Sequence, residues 1–192
     1  MAYIVTGQQY ANVAYSYRNS GYTYEQYDCI HFVNLINRDC GVTQLINGTN
    51  SSWRLDGNLF TWKGTIQDCI NTWLAIPNGA LLWRCIPEGE PGYDTIPPQY
   101  RGDGIGNFTH IGIRVYPGGI LDSGGVMQSG GYGGTGVHYT PWQTSHLSWW
   151  THVSFMKQVQ YPGVYNPIDQ IVLFMQFNKN KEKPARRTHY RG

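Results

Sequence analysis

The chain has 192 residues, 14% of them charged, and a formal net charge of +2, which suits one domain of ordinary size with a core that needs neither disulfides nor metal. The charge is uneven: Lys179 to Gly192 carries six Lys or Arg against one Glu, leaving the preceding 178 residues near −3, a distribution that excludes a nucleic-acid surface spread over the folded body. Four Cys without CxxC spacing exclude a zinc site and a disulfide framework, and no stretch approaches the ~18 apolar residues of a membrane span.

Frequent Gly, Tyr and Trp favour strands and shaped loops over long helices. An α+β domain with a substantial antiparallel sheet is therefore expected over residues 1–157. Residues 158–192 are set apart as an extension, with an apolar segment (IVLFMQF) suited to an edge strand or to docking on another chain, and a basic tail. That tail reads as a solvated end, or as an anchor on an anionic partner. The start MAYIVTGQQY lacks the features of a signal peptide, so a soluble chain is expected.

In chain order, Ala11, Val13, Ala14 and Tyr17 at helical intervals predict a first short helix within 7–19, stopped by Gly21. DCIHFVNLINRDCG places Ile30, Val33 and Ile36, with Phe32, on an apolar face and Gly41 at a C-cap position, predicting a helix over 29–39. Turn residues dominate 42–62. TIQDCINTWLA then gives a helical pattern with Thr65 and Asp68 spaced as a capping box, and IPNGALLWRCI reads as a turn into a buried strand. The Pro- and Gly-rich stretch before His110 predicts a long surface loop over about 87–109. HIGIRVY, GGILDS, GVMQS and THVSFMKQVQY predict a meander of strands, with a hairpin turn at YPGG.

A catalytic thiol needs a nearby base, and a helix N-terminus favours its thiolate. Cys29 has that placement, with Asp28 as a natural N-cap and its own N–H as a candidate oxyanion donor. Cys69 falls one turn inside its helix and Cys85 within LLWRCI, so both read as small core residues. Cys40 ends its helix, where the dipole disfavours a thiolate.

YEQYDCIHFVNLINRDCG resembles the nucleophile segment of the NlpC/P60 family of cell-wall cysteine peptidases, in which a Tyr precedes an Asp-Cys pair opening an apolar helix. Downstream and in order, IPNGALLW resembles the family's turn into a strand, THIGIRV its His-hydrophobic-Gly-Ile strand, and VMQSGG with GV the strand carrying a third polar residue. The likeness covers about residues 8–157. It implies a papain-like fold with N-terminal helices packed on an antiparallel sheet, Cys29 as nucleophile, His110 as general base, Tyr24 lining the oxyanion position and Asp28 fixing the helix start. Ile30-His31 depart from the small Ser-Gly that usually follows the Cys. The third residue is not a plain His: Asp122 has the short spacing of a tight hairpin, and Gln128 the better downstream context. A two-residue turn at Gly118-Gly119 would put position 127 roughly opposite 110, which favours Gln128.

His31, two residues along a helix from Cys29, points away from the thiol. His138, His146 and His152 lack ligand spacing, so no metal and no cofactor is expected. Trp142, Trp149 and Trp150 read as packing before sugar-stacking surfaces. The acidic loop over 87–109 is expected to wall the cleft and select substrate. By the resemblance, the substrate is the stem peptide of bacterial peptidoglycan, cut after D-γ-glutamate, or between glycan and stem in the amidase variant. Phage tail lysin or endolysin origin is expected, with other tail proteins as partners through the C-terminal segment. Two alternatives stay open: a non-catalytic wall-binding or virion module, and an acyltransferase or deamidase using the same Cys-His pair.

Overall fold

In a computed structural model, residues 3–55, 57–116, 124–131, 134–142 and 149–161 are described. They fall within one compact unit, Met1–Pro162. Their elements are β1 (Val5–Thr6), α1 (Gly7–Ser16), α2 (Cys29–Asp39), α3 (Thr49–Arg54), β2 (Phe60–Thr65), α4 (Ile66–Trp73), β3 (Leu81–Ile86), β4 (Asn107–Val115), β5 (Gly125–Ser129), β6 (Val137–Pro141), β7 (His152–Met156) and β8 (Val159–Gln160). The class is α+β.

Local chemistry sets the helix starts. Thr6 and Gln9 form a capping box on α1, and Thr65 and Asp68 one on α4. Asp28 caps α2 by accepting from Ile30 N (2.9 Å) and His31 N (2.8 Å). Gly41 takes a left-handed φ of 72° just past the end of α2, where a residue without Cβ turns the chain at little cost. The apolar face of α2 buries Phe32, Val33, Leu35 and Ile36, about 2 kcal/mol for each large side chain. Asn37 ties α2 to its neighbours: its Oδ1 accepts from Tyr10 Oη (2.6 Å) on α1, and its Nδ2 donates to Gln44 O (2.9 Å).

Among the described residues, six strands form one antiparallel sheet in the order β2-β7-β3-β4-β5-β6, and β1 pairs with β8 in a short parallel ladder. Packing thus continues past residue 157. The central strands supply the core, with Leu81, Leu82, Trp83, Ile111 and Ile113 fully buried, and α1 and α2 pack against β4. Trp83, Trp53 and Phe108 add an aromatic cluster, Trp53 stacking on Phe108 at 4.4 Å.

Three elements depart from the sequence expectation. The turn-rich 42–62 stretch holds α3 and the start of β2. No side chain caps α3; it is held instead by Trp53 on Phe108, by Thr49 Oγ1 donating to Phe108 O and by Asn50 Oδ1 accepting from Phe108 N (2.9 Å). Tertiary contacts here override weak local propensity. Strand β6 follows a Gly-rich run and forms the sheet edge, with Pro141 at its end. THVSFMKQVQY is two strands, β7 and β8, since Lys157 and Gln158 turn between them. Residues 117–123, which hold GGILDS and most of the YPGG turn, lie outside the described residues, as do the segment IVLFMQF and the basic tail.

Candidate active site

Cys29 opens α2 and is 5% exposed. Its thiol reaches the backbone N–H groups of Ile111, Ile30 and Cys29 itself, so the start of α2 abuts β4 one residue beyond His110. Tyr24, 45% exposed, sets its hydroxyl beside this thiol, and its pKa is raised by burial first and then by Cys29 and Asp28.

His110 lies on β4 and is also 5% exposed. Its Nε2 is 3.0 Å from Gln128 Oε1, and Gln128 Nε2 donates to Thr140 Oγ1 at 2.8 Å. Because the Gln128 amide nitrogen is directed at Thr140, the atom facing His110 is a carbonyl oxygen, which only accepts. The proton therefore sits on Nε2, and Nδ1 is left as the basic nitrogen. Thr140 was not anticipated; a hydroxyl two residues beyond His138 has no signal in sequence, and only the strand register brings it to Gln128.

The register corrects the hairpin expectation. Gly112 faces Gln128 and Ile113 faces Met127, so the residue that continues opposite His110 is Gly130, not position 127. Val115 pairs with Gly125, so residues 116–124 lie between the paired positions of the two strands. Gln128 reaches His110 diagonally, on the face that His110, Gly112 and Arg114 share. Asp122 lies outside the described residues.

Two glycines make room. A Cβ at Gly131 would stand 2.5 Å from His110 Nε2, and one at Gly130 would stand 2.6 Å from the Tyr24 ring; both carry positive φ, 75° and 68°. Trp149 and Trp150 flank the imidazole at ring-centroid distances of 5.4 and 5.6 Å. Trp150, His110 and Gln128 are all buried, so the His110–Gln128 bond lies in a low-dielectric setting. Trp142 stacks 4.1 Å from the Arg114 guanidinium, which Tyr116 covers at 4.0 Å on a second side.

The electrostatics correct a second expectation. Burial pushes the Cys29 thiol up to about 11; the Ile111 N–H opposes this, the Asp28 charge adds to it, and the Ile30 and Cys29 N–H groups oppose it again. The helix terminus thus favours a thiolate but does not outweigh desolvation. Burial likewise holds His110 down to about 4, against the Gln128 hydrogen bond and the Asp28 charge and with the help of His138. At neutral pH the resting pair is an uncharged thiol and an uncharged imidazole. Among the described residues, neither is hydrogen-bonded to the other.

The remaining candidates fall elsewhere. His31 pairs with Asp28 at 3.0 Å on an exposed surface. His152 packs against Trp53 and Phe108, both at 5.1 Å. His138 Nδ1 lies 2.7 Å from Gly136 O; His146 is outside the described residues. Cys69 and Cys85 are buried core thiols and Cys40 closes α2. The loop after β3 is fastened to α3 by Arg54, which meets Asp103 at 2.6 Å, donates to Gly106 O at 2.8 Å and lies over Tyr100. An open depression of about 470 Å³ on this loop, lined by Gly89, Glu90, Gly92, Tyr93 and Asp94 among others, contains none of the Cys29, His110 or Gln128 side chains. Among the described residues no helix is long and apolar enough to cross a membrane, and no group of His, Cys, Asp and Glu could hold a metal ion. Compared with family models, with curated proteins and with solved structures, the chain matches none.

Proposed function

We propose that the protein is a cysteine peptidase of papain-like, NlpC/P60 type that cleaves an amide in the stem peptide of bacterial peptidoglycan, after D-γ-glutamate. The observation that carries the reading is a thiol at a capped helix start that reaches the backbone N–H of Ile111, while the neighbouring residue His110 opens a buried chain to Gln128 and Thr140. A buried imidazole whose Nε2 is held by a carbonyl oxygen keeps Nδ1 as the nitrogen that can accept a proton.

The reaction uses these residues in two halves. His110 Nδ1 takes the Cys29 proton as Sγ attacks the amide carbonyl. The proton then passes to the leaving amine, the C–N bond breaks, and a thioester remains on Cys29. Water, deprotonated by His110, attacks the thioester, releasing the carboxylic acid and restoring the thiol. The N–H of Cys29 and the Tyr24 hydroxyl are assigned to the developing oxyanion. Because burial keeps both partners neutral at rest, proton transfer accompanies attack instead of preceding it.

Incubating the protein with bacterial sacculi and identifying released fragments by mass spectrometry tests the reading. Soluble muropeptides from the wild type and none from Cys29→Ser support it; none from either contradicts it. The missing bond between thiol and imidazole favours one second reading, a wall-binding module that keeps the fold without turnover. Sedimentation with sacculi and no released fragments would identify that module.

A further inference from the structure

Arg84 on β3 stands directly across the sheet from His110 on β4. Residues paired in this way point to the same face. The Arg84 side chain is half-buried and donates from Nη1 to Trp149 O at 2.9 Å, with its guanidinium 5.7 Å from the Trp149 ring. That ring in turn meets the His110 imidazole at 5.4 Å. The three salt bridges among the described residues join Asp28, Asp39 and Asp103 to other partners, so no described carboxylate neutralises Arg84.

A guanidinium carries five N–H donors in a planar fork shaped for a carboxylate. Here a single carbonyl holds one arm, and an indole joins the cation to the base. We infer that Arg84 binds a substrate carboxylate next to the scissile amide, so that the site selects anionic peptides. The inference rests on the peptidase reading. A γ-linked glutamate keeps its α-carboxylate free, separated from the scissile carbonyl by a short methylene bridge. The residue beyond the cut offers a second carboxylate when it ends the peptide. Both present the same chemistry to Arg84.

The test uses full-length protein with Cys29→Ala, which holds the peptide uncleaved, and calorimetric binding of three ligands. These are L-Ala-γ-D-Glu-L-Lys with free carboxylates, the same peptide amidated at the D-Glu α-carboxylate, and the same peptide amidated at its C-terminus. A charge-assisted bidentate contact predicts that one amide binds about tenfold or more weakly than the free acid. The amide that weakens identifies the carboxylate recognised. Adding Arg84→Gln should bring acid and amide within about twofold of each other, while Arg84→Lys keeps part of the difference.

The inference is overturned if both amides bind as well as the acid, if the gap survives in Arg84→Gln, or if the free acid does not bind. The acid-to-amide comparison in the Arg84 protein needs no mutation at this position, so a folding defect of Arg84→Gln leaves it decisive. Failure of the wild type to digest sacculi contradicts the peptidase reading itself. Digestion together with equal binding of acid and amides contradicts only the role of Arg84.

Discussion

Gln128 presents its carbonyl oxygen, not its amide nitrogen, to His110 Nε2 at 3.0 Å, because its nitrogen is committed to Thr140. One hydroxyl on an edge strand thereby sets the protonation of an imidazole two strands away.

Gln128→Leu should lower kcat on the order of 10²-fold with KM little changed, since the imidazole loses its orienting partner but the binding surface does not. Thr140→Val should cost about tenfold through the same path, and Thr140→Ser should restore most of it. Steady-state kinetics on a defined stem peptide check both; equal losses in the Val and Ser variants would show that Thr140 acts through packing alone.

Gly131→Ala forces a methyl against the imidazole and places a Cβ at φ 75°. The backbone strain alone should cost about 1–2 kcal/mol of stability, and displacement of His110 should lower turnover well beyond that loss. Thermal unfolding and turnover of the same preparation separate the two; full activity in a destabilised protein would mean that the ring tolerates the shift.

His110 is depressed from its ordinary value of 6.5 to about 4. The unfolded state then binds more protons between those values, so the stabilisation present above pH 6.5 is lost as pH falls toward 4, on the order of 3 kcal/mol for this group. Denaturant midpoints for wild type and His110→Gln should converge over that interval as the wild type loses its advantage. A constant difference from pH 7 to pH 4 would contradict a buried neutral imidazole.

Much of the site was legible in the chain because local chemistry fixes it. The Asp28 cap, the apolar face of Phe32, Val33 and Ile36 and the glycine after Cys40 define α2 and leave Cys29 at its start without reference to the rest of the fold. Thr65 and Asp68 define α4 in the same way. What depends on pairing was not legible. The partner of His110 hinges on register across the β4–β5 connection, Thr140 is reached through a further strand, and α3 is held by contacts of Thr49, Asn50 and Trp53 with Phe108. The thiol illustrates a third kind of miss: sequence places Cys29 at a helix start but cannot weigh that against burial, which wins.

With its thiol raised to about 11, Cys29 should react with iodoacetamide on the order of a hundredfold more slowly than free cysteine at neutral pH, and faster as pH rises toward 11. Peptide mapping by mass spectrometry follows the site individually. Rapid alkylation at pH 6 would instead indicate a resting thiolate.

The most direct measurement is cleavage of L-Ala-γ-D-Glu-L-Lys in ¹⁸O-labelled water by wild type and by Cys29→Ala. Hydrolysis through a Cys29 thioester should release the dipeptide with one ¹⁸O in the D-Glu γ-carboxyl, with a loss on the order of 10³-fold or more in Cys29→Ala. Unlabelled product joined to an added amine, or equal rates in the two proteins, would contradict it.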